Sequence, residues 1–419
     1  MFALNLVSRC LFAFLLTTSL SFAESTPIVA HEDPIEIDES LTLLKVIDLT
    51  LEKFPDMAWL KSLEDEAAAI AQRSKSWTAG ASQASYSFQE AATGANGGKL
   101  HYVNAGVQVP LWNIGQRDAE QAVGEQAESS AKTQTVATKL RIAGLVRNAL
   151  WDMDLQKIRY EQAQAEIKIY EELHEKIGRR VELGDLPRSD VLLAETELLQ
   201  KRSTLILAEA ELMHARKRYA SITQITKVPK DYHEKLVDLK EIEQNHPALV
   251  AINSQQTRKQ AELDAMRAVG SGQTNVLAGV NGDMGNDASN HTASFNVGVN
   301  IPFGGSDHLA PQLAAINVEL SKLMSEREQL FRDLQQAHHE AEHNLEVNRA
   351  ELANANALKT ATEKLLNMSK TAYSVGEIDL IDLLKISDKA QQAILNVKER
   401  EVMLERDIAL YNQAVGVMP

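Results

Sequence analysis

The chain repeats itself at a spacing of 192 residues, so whatever one half folds into, the other half must also accommodate. VNAGVQVPL (103–111) aligns with FNVGVNIPF (295–303). The same spacing sets FPDM (54–57) on HPAL (246–249), Gly184 on Gly376, Asp190 on Asp382 and Tyr219 on Tyr411. One register holding without a gap from near residue 50 to near 411 argues a tandem duplication, with repeats over 41–232 and 233–419. Each repeat has the same order: a helical stretch (about 54–79 and 246–271), two short alternating segments, a very long helical tract (about 113–182 and 305–374), a glycine-containing turn, and a final helix (about 188–222 and 380–416).

The alternating segments have a period of two, which marks strands with one apolar and one polar face. Phe295, Val297, Val299, Ile301 and Phe303 fall on one face, with Asn296, Gly298 and Asn300 on the other. Tyr86 and Phe88 oppose Ser85, Ser87 and Gln89, and Val103, Val107 and Val109 oppose Asn104, Gly106 and Gln108. AATGANGGK (91–99) and DMGNDASNH (283–291) are turn-forming in composition. Each repeat therefore carries one hairpin, within about 81–112 and 274–304, whose strands have the length of tilted transmembrane strands. Small uncharged groups on one face suit a wet lumen, and aliphatic and aromatic groups on the other suit lipid. The competing reading is a pair of soluble hairpins packed on a helix. In lipid, four strands cannot close a barrel and open edges are not tolerated. Several copies would then share one barrel; two would supply eight strands and three twelve, and periodicity does not choose.

The 113–182 tract lacks proline and would reach about 105 Å as one helix. The shorter helices flanking it, about 39 and 52 Å, would stack to nearly that height. Val191, Leu198, Leu205, Leu212 and Tyr219 recur every seven residues, as do Leu383, Ala390, Val397, Leu404 and Tyr411. Strict sevens predict coiled-coil packing, so these residues are core. The expected class is a mixed α/β membrane protein, mostly long α-helix, with a small strand contribution per chain.

The N-terminus reads as a signal peptide over 1–23: Arg9, an apolar run from Leu11 to Leu20, and Ser21-Phe22-Ala23 before the cut. Residues 24–40 are expected to be an acidic flexible tail. The one cysteine, Cys10, lies inside the signal with Arg9 before it, which predicts no lipidation and a mature chain without disulfides. Removing 1–23 deletes one Arg and no acid, taking the formal charge from −15 to −16 and arguing against a nucleic-acid partner.

HHEAEH (338–343) contains H-E-x-x-H, so His339, Glu340 and His343 match a zinc-protease signature. The match falls in the middle of a long helical tract, no histidine follows His343, and the first repeat has no histidine in register. A zincin needs a third ligand and a cleft. The expectation is no resident metal or cofactor, with His339 and His343 as weak metal candidates and a solvated helix face as the main reading.

LGDLPRSDVLLAE (183–195), YSVGEIDLIDLLK (373–385) and the junctions VPLW (109–112) and IPFG (301–304) together resemble the outer membrane factor (TolC-like) family. The resemblance implies a homotrimer with a twelve-stranded transmembrane β-barrel, a coiled-coil tunnel through the periplasm, outer-membrane lipid around the barrel, a periplasmic adaptor (membrane fusion protein) and an inner-membrane transporter of the RND type. The tip segment looks somewhat like the heavy-metal efflux branch. Pro110 and Pro302 sit where a strand gives way to a helix. The family closes its tunnel at the tips. By position from the tip glycines, Tyr373 matches the family's latch tyrosine, Asp190 its aspartate partner and Asp382 a ring aspartate. A second ring aspartate falls on Lys385 and a latch arginine on Ile378, so the latch itself departs from the pattern. Gly184, Asp185, Gly376 and Glu377 complete the two tips. Asp190 and Asp382 are equally suited to a first helical turn. Three copies of Asp382 around a three-fold axis would repel, favouring a proton or cation among them.

The leading expectation is a passive efflux duct of the outer membrane, not an enzyme. An exported coiled-coil structural or adaptor protein is the alternative, and a zinc metalloprotease the remote one.

Overall fold

The computed structural model describes residues 35–91, 100–285 and 291–419. The signal peptide, the start of the acidic tail and the centres of both turn segments lie outside the described residues. The elements are β1 (Glu36–Asp38), α1 (Leu43–Lys53), α2 (Asp56–Lys75), β2 (Gln83–Ala91), β3 (Leu100–Leu111), α3 (Gln116–Glu182), α4 (Arg188–Thr223), β4 (Lys227–Pro229), α5 (Pro247–Val269), β5 (Thr274–Met284), β6 (Thr292–Asn300), α6 (Ser306–Ser374) and α7 (Leu380–Ala414).

The two long helices, α3 of 67 residues and α6 of 69, run the full height of the helical part, about 100 Å each. Shorter helices flank them in two tiers. Next to the sheet the lateral order is α2, α3, α5, α6; at the far end it is α4, α3, α7, α6. The sheet has the matching order β2, β3, β5, β6, antiparallel throughout. Two interior glycines of α3 mark close crossings. A Cβ on Gly124 would lie 3.3 Å from the Ala71 backbone of α2, and one on Gly144 would lie 3.0 Å from Gln413 of α7.

Most of the heptad residues are core, while Val191, Leu205 and Leu404 are only half-buried. Leu198, Leu212 and Tyr219 are buried on α4, and Leu383, Ala390, Val397 and Tyr411 on α7. Each such leucine contributes about 1.5–3 kcal/mol by leaving water. At mid-height the largest cluster joins Val46 and Ile47 of α1 to Ile142, Val146, Leu150 and Trp151 of α3 and Tyr219 of α4. A smaller one joins Leu249, Tyr411 and Val415.

Three local expectations are corrected. Residues 36–38 are not a flexible tail: they form β1, parallel to β4. The acidic segment meets basic residues there, with Lys227 Nζ 3.1 Å from Asp38 and Lys230 Nζ 2.5 Å from Glu39. Hydrogen bonds from Ser40, then Lys227, hold the Asp38 carboxyl down to about 2. Second, α1 has no helical counterpart: 231–246 is irregular and lies along α7, where Asn412 Oδ1 accepts from the Val237 N–H at 3.1 Å. Third, the two prolines differ. β6 stops at Asn300, before Pro302, whereas β3 continues through Pro110 to Leu111, in register with Asn275 and Thr274 of β5.

Candidate functional site

The sheet separates its chemistry by face. The register places Tyr86, Ala105, Val280 and Phe295 in one cross-strand row, and Ala84, Val107, Ala278 and Val297 in the next. Tyr86 and Phe295 are more than 70 % exposed, and Phe88, Val107, Val280, Val297 and Val299 also stand open on this face. A face this apolar left uncovered is costly in water and is what a lipid surface requires. The opposite rows are Ser85, Gly106, Gly279 and Asn296, then Ser87, Asn104, Asn281 and Ser294. They are knitted by Asn104 to Ser87 (3.2 Å) and Asn296 to Asn281 (3.3 Å) and line a shallow hollow. Gly279 is needed where it stands: a Cβ there would meet Asn296 Oδ1 at 2.7 Å and the Ala105 carbonyl at 2.8 Å. No helix among the described residues is long and apolar enough to cross a membrane.

Sheet and helices join through paired contacts. Pro110 packs 3.6 Å from the Cβ position of Gly80, and Pro302 packs 3.2 Å from that of Gly272. The two glycines, like the two prolines, are 192 residues apart. Asn113 closes the junction, donating to the carbonyls of Val269 (2.8 Å) and Gly272 (2.9 Å) and accepting from the Thr274 hydroxyl (2.9 Å).

At the far end, α3 and α6 terminate in the same way. Gly184 (φ +82°) and Gly376 (φ +81°) are left-handed. The next N–H reaches back five residues, Asp185 to Arg180 (2.8 Å) and Glu377 to Ala372 (2.9 Å). These are Schellman turns, which satisfy the last helical carbonyls and favour glycine. A Cβ on either glycine would meet nothing within 4 Å, so conformation, not crowding, explains them.

The site residues expected from the sequence gather at these tips. Asp185, Glu377 and Asp382 are exposed, and Asp190 is half-buried in the first turn of α4. Asp382 does not cap α7: Asp379 does, accepting from the Asp382 N–H at 3.0 Å. The Asp382 carboxylate instead lies 3.6 Å from Lys385 Nζ. Tyr373 leaves the end of α6 to pack with Leu173, Leu366 and Leu383. Its hydroxyl is buried without a hydrogen bond. Burial, and then the nearby Asp190 charge, push the Tyr373 phenol up, against the opposing effect of Arg180. Ile378, where the family pattern has arginine, packs into the cluster of Leu366, Leu383 and Ala390.

Sequence reasoning missed two groups here. Arg180 stacks on the Tyr373 ring, 5.5 Å from its centroid. Lys201 of α4 reaches Glu166 of α3 (3.0 Å) and Asp388 of α7 (2.8 Å), and Asp388 also takes the Tyr170 hydroxyl. No motif marks them; they become neighbours only when α3, α4, α6 and α7 pack together.

The histidines separate by direction. His338 turns inward, buried, with Nε2 3.2 Å from the Tyr411 hydroxyl. His339 and His343 are exposed on α6. Among the described residues no group of three or more His, Cys, Asp or Glu is placed to hold a metal ion.

No protein-family model and no curated protein matches this sequence. Solved structures do match in fold. CusC, described in a study of conformational changes accompanying folding and transmembrane channel formation, superimposes with a TM-score of 0.72 at 11 % identity, over 94 % of this chain and 96 % of that one. The Campylobacter jejuni CmeC outer membrane channel gives 0.69 at 13 %, over 99 % and 94 %. The outer-membrane channel OprN gives 0.70 at 14 %, over 93 % and 94 %. The chain has the fold of these channels over nearly its whole length.

Proposed function

We propose that three copies of this chain close into one outer-membrane duct, a twelve-stranded barrel continued by a helical tunnel into the periplasm. One observation carries this reading. All three tiers are four elements wide and end on the same two open edges: β2, α2 and α4 on one side, β6 and α6 on the other. Each edge lacks a partner it needs. On α4, Leu192, Leu199 and Ile206 stand exposed at intervals of seven; on α6, Leu358 and Leu365 do the same, beside Met368. Pairing β2 of one copy with β6 of the next removes the open strand edges that lipid does not tolerate. It also sets the α4 stripe against the α6 stripe. Such head-to-tail contacts form rings when the rotation closes. Three as the copy number rests on the family resemblance.

The duct is passive and not enzymatic; a polar Ser/Asn/Gln lining carries little selectivity, so selection and energy come from an inner-membrane transporter reached through a periplasmic adaptor. The tip resemblance makes divalent heavy metals the first cargo to test, by metal tolerance of a deletion strain. The exported coiled-coil alternative fits the helices but leaves the open apolar face of the sheet without a purpose. Native mass spectrometry of detergent-extracted mature protein, paired with planar-bilayer recording, tests the reading. A detergent-requiring trimer that conducts is expected; a water-soluble, non-conducting monomer overturns it.

A further inference from the structure

Between the tip ends of α3 and α6, over α7, lies a groove of about 570 Å³. That is the size range of small-molecule sites, roughly 300–1,000 Å³. Its walls are Ile169, Leu173 and Ile177 on one side and Leu366, Tyr373 and Leu383 on the other. Its rim is basic. Two of the rim cations are used within α3: Lys176 faces Glu172 at 3.7 Å, and Arg179 pairs with Glu175. Arg180 on α3 has only the Tyr373 ring, and Lys370 on α6 has no carboxylate partner among the described residues. The buried Tyr373 hydroxyl has no hydrogen-bond partner and belongs to the same lining. The larger cavity between α2, α3 and α5 differs in this respect. There Arg258 holds Glu66 (2.8 Å) and Glu262 (2.9 Å), Lys259 holds Glu262 and Glu319 (both 2.7 Å), and Arg73 holds Glu120, so no charge is left for a ligand.

We infer that the tip groove binds an amphiphilic monoanion, a carboxylate or sulfonate on an apolar body. Its headgroup lies between Arg180 and Lys370, with the Tyr373 hydroxyl as an additional donor, and its body lies on the Ile/Leu walls. The inference stands on the groove itself and goes beyond the duct reading. Since Arg180 precedes one tip and Lys370 the other, an occupied groove ties the two tips together.

The test is calorimetric titration of the assembled full-length mature protein, in neutral detergent, with 1-naphthalenesulfonate against a blank of empty micelles. One site per chain is expected. Arg180→Gln should weaken it about fivefold and Lys370→Gln about threefold, the usual scale for losing a charge-assisted contact at a half-open site. Bound probe should also slow amide exchange at 180–186 and 370–378 together. Binding that is absent, or equal in both variants, or matched by neutral 1-naphthalenemethanol, overturns the inference. Ser374→Cys, lining the groove, gives a second reading: maleimide labelling that the probe suppresses supports the site. A thiol already blocked in the probe-free assembly means that a neighbouring copy fills the groove, and overturns it.

Discussion

Arg147 grips Glu234 with both prongs, Nε to Oε1 and Nη2 to Oε2 at 2.7 Å each, although its side chain has no exposed surface. The same guanidinium donates to Gln413 Oε1 (2.5 Å) and to the Val417 carbonyl (3.1 Å). One residue of α3 thus fixes both the irregular 231–246 segment and the C-terminus. Removing one member of a buried pair leaves the other charged and unpaired, a cost of about 3–5 kcal/mol. Arg147→Met should therefore lower the thermal midpoint of the helical circular-dichroism signal sharply. Arg147→Met with Glu234→Leu should regain most of the loss, since a well-packed apolar replacement is often neutral. Equal losses in the single and double variants would show that the ion pair is not what holds the segment.

The tip glycines give a second, purely conformational prediction. Gly184→Ala and Gly376→Ala introduce no clash, but each places an L side chain at φ above +80°. The expected cost is about 1–2 kcal/mol per site, read as faster amide exchange at the affected tip alone. Asn, which tolerates this region, should cost less than Ala. Equal exchange in wild type and both alanine variants would refute the strain argument.

At Gly279 the argument is steric. A methyl group there collides with the Ala105 carbonyl, which cannot move without breaking the β3–β5 ladder. Gly279→Ala should reduce the yield of folded protein extracted from the membrane in detergent. Gly282→Ala is the control, because its Cβ would meet nothing nearer than 4.0 Å.

Much of this architecture was legible because it is periodic. A period of two along Phe295–Phe303 and of seven along Val191–Tyr219 are local patterns, and the faces follow from geometry. What escaped was set by neighbours distant in sequence. Residues 147 and 339 stand 192 apart in the sequence register, yet Arg147 is buried against the irregular 231–246 segment while His339 is exposed. His338 lies 192 residues after core Val146, and it pairs with the hydroxyl of Tyr411, which lies 192 after Tyr219. HHEAEH thus combines a core position with an open helix face, which motif spacing could not resolve. The end of the acidic tail, 36–39, was misread for a similar reason, since its partners Lys227 and Lys230 lie nearly 200 residues downstream.

His246 supplies a pH prediction. It is buried against Gly416, Nδ1 accepts from the Ala248 N–H at 3.2 Å, and burial lowers its pKa below the usual 6.5. The fold holds the neutral ring, whereas the unfolded chain binds a proton more readily. The stability it contributes is therefore present in full above pH 6.5 and declines as pH falls from there through the lowered folded value. The mid-height region should exchange amides faster at pH 5.5 than at 7.5, after correction for intrinsic rates. His246→Asn, which retains a side-chain acceptor without titrating, should remove most of that difference. A pH effect unchanged in His246→Asn would place its origin elsewhere.

In the proposed three-fold duct, Asp382 and Lys385 would stand at the tip, where the family resemblance places the gate. Both are more than half exposed, and their 3.6 Å contact is an ordinary surface pair worth about 0–1 kcal/mol alone. Around a three-fold axis the arrangement changes meaning, because each acid would bring its own cation to the ring. Asp382→Ala then does more than remove repulsion among acids: it leaves three unpaired lysines facing one another. The rim should spread, and single-channel conductance should rise. Asp382→Ala with Lys385→Ala removes both signs and should fall between the single variant and wild type. The spread among the three proteins should shrink from 0.1 M to 1 M salt, as the screening length contracts from about 10 to about 3 Å. Identical conductance for all three at low salt would remove this pair from the gate and leave the tips to be held by packing around Tyr373.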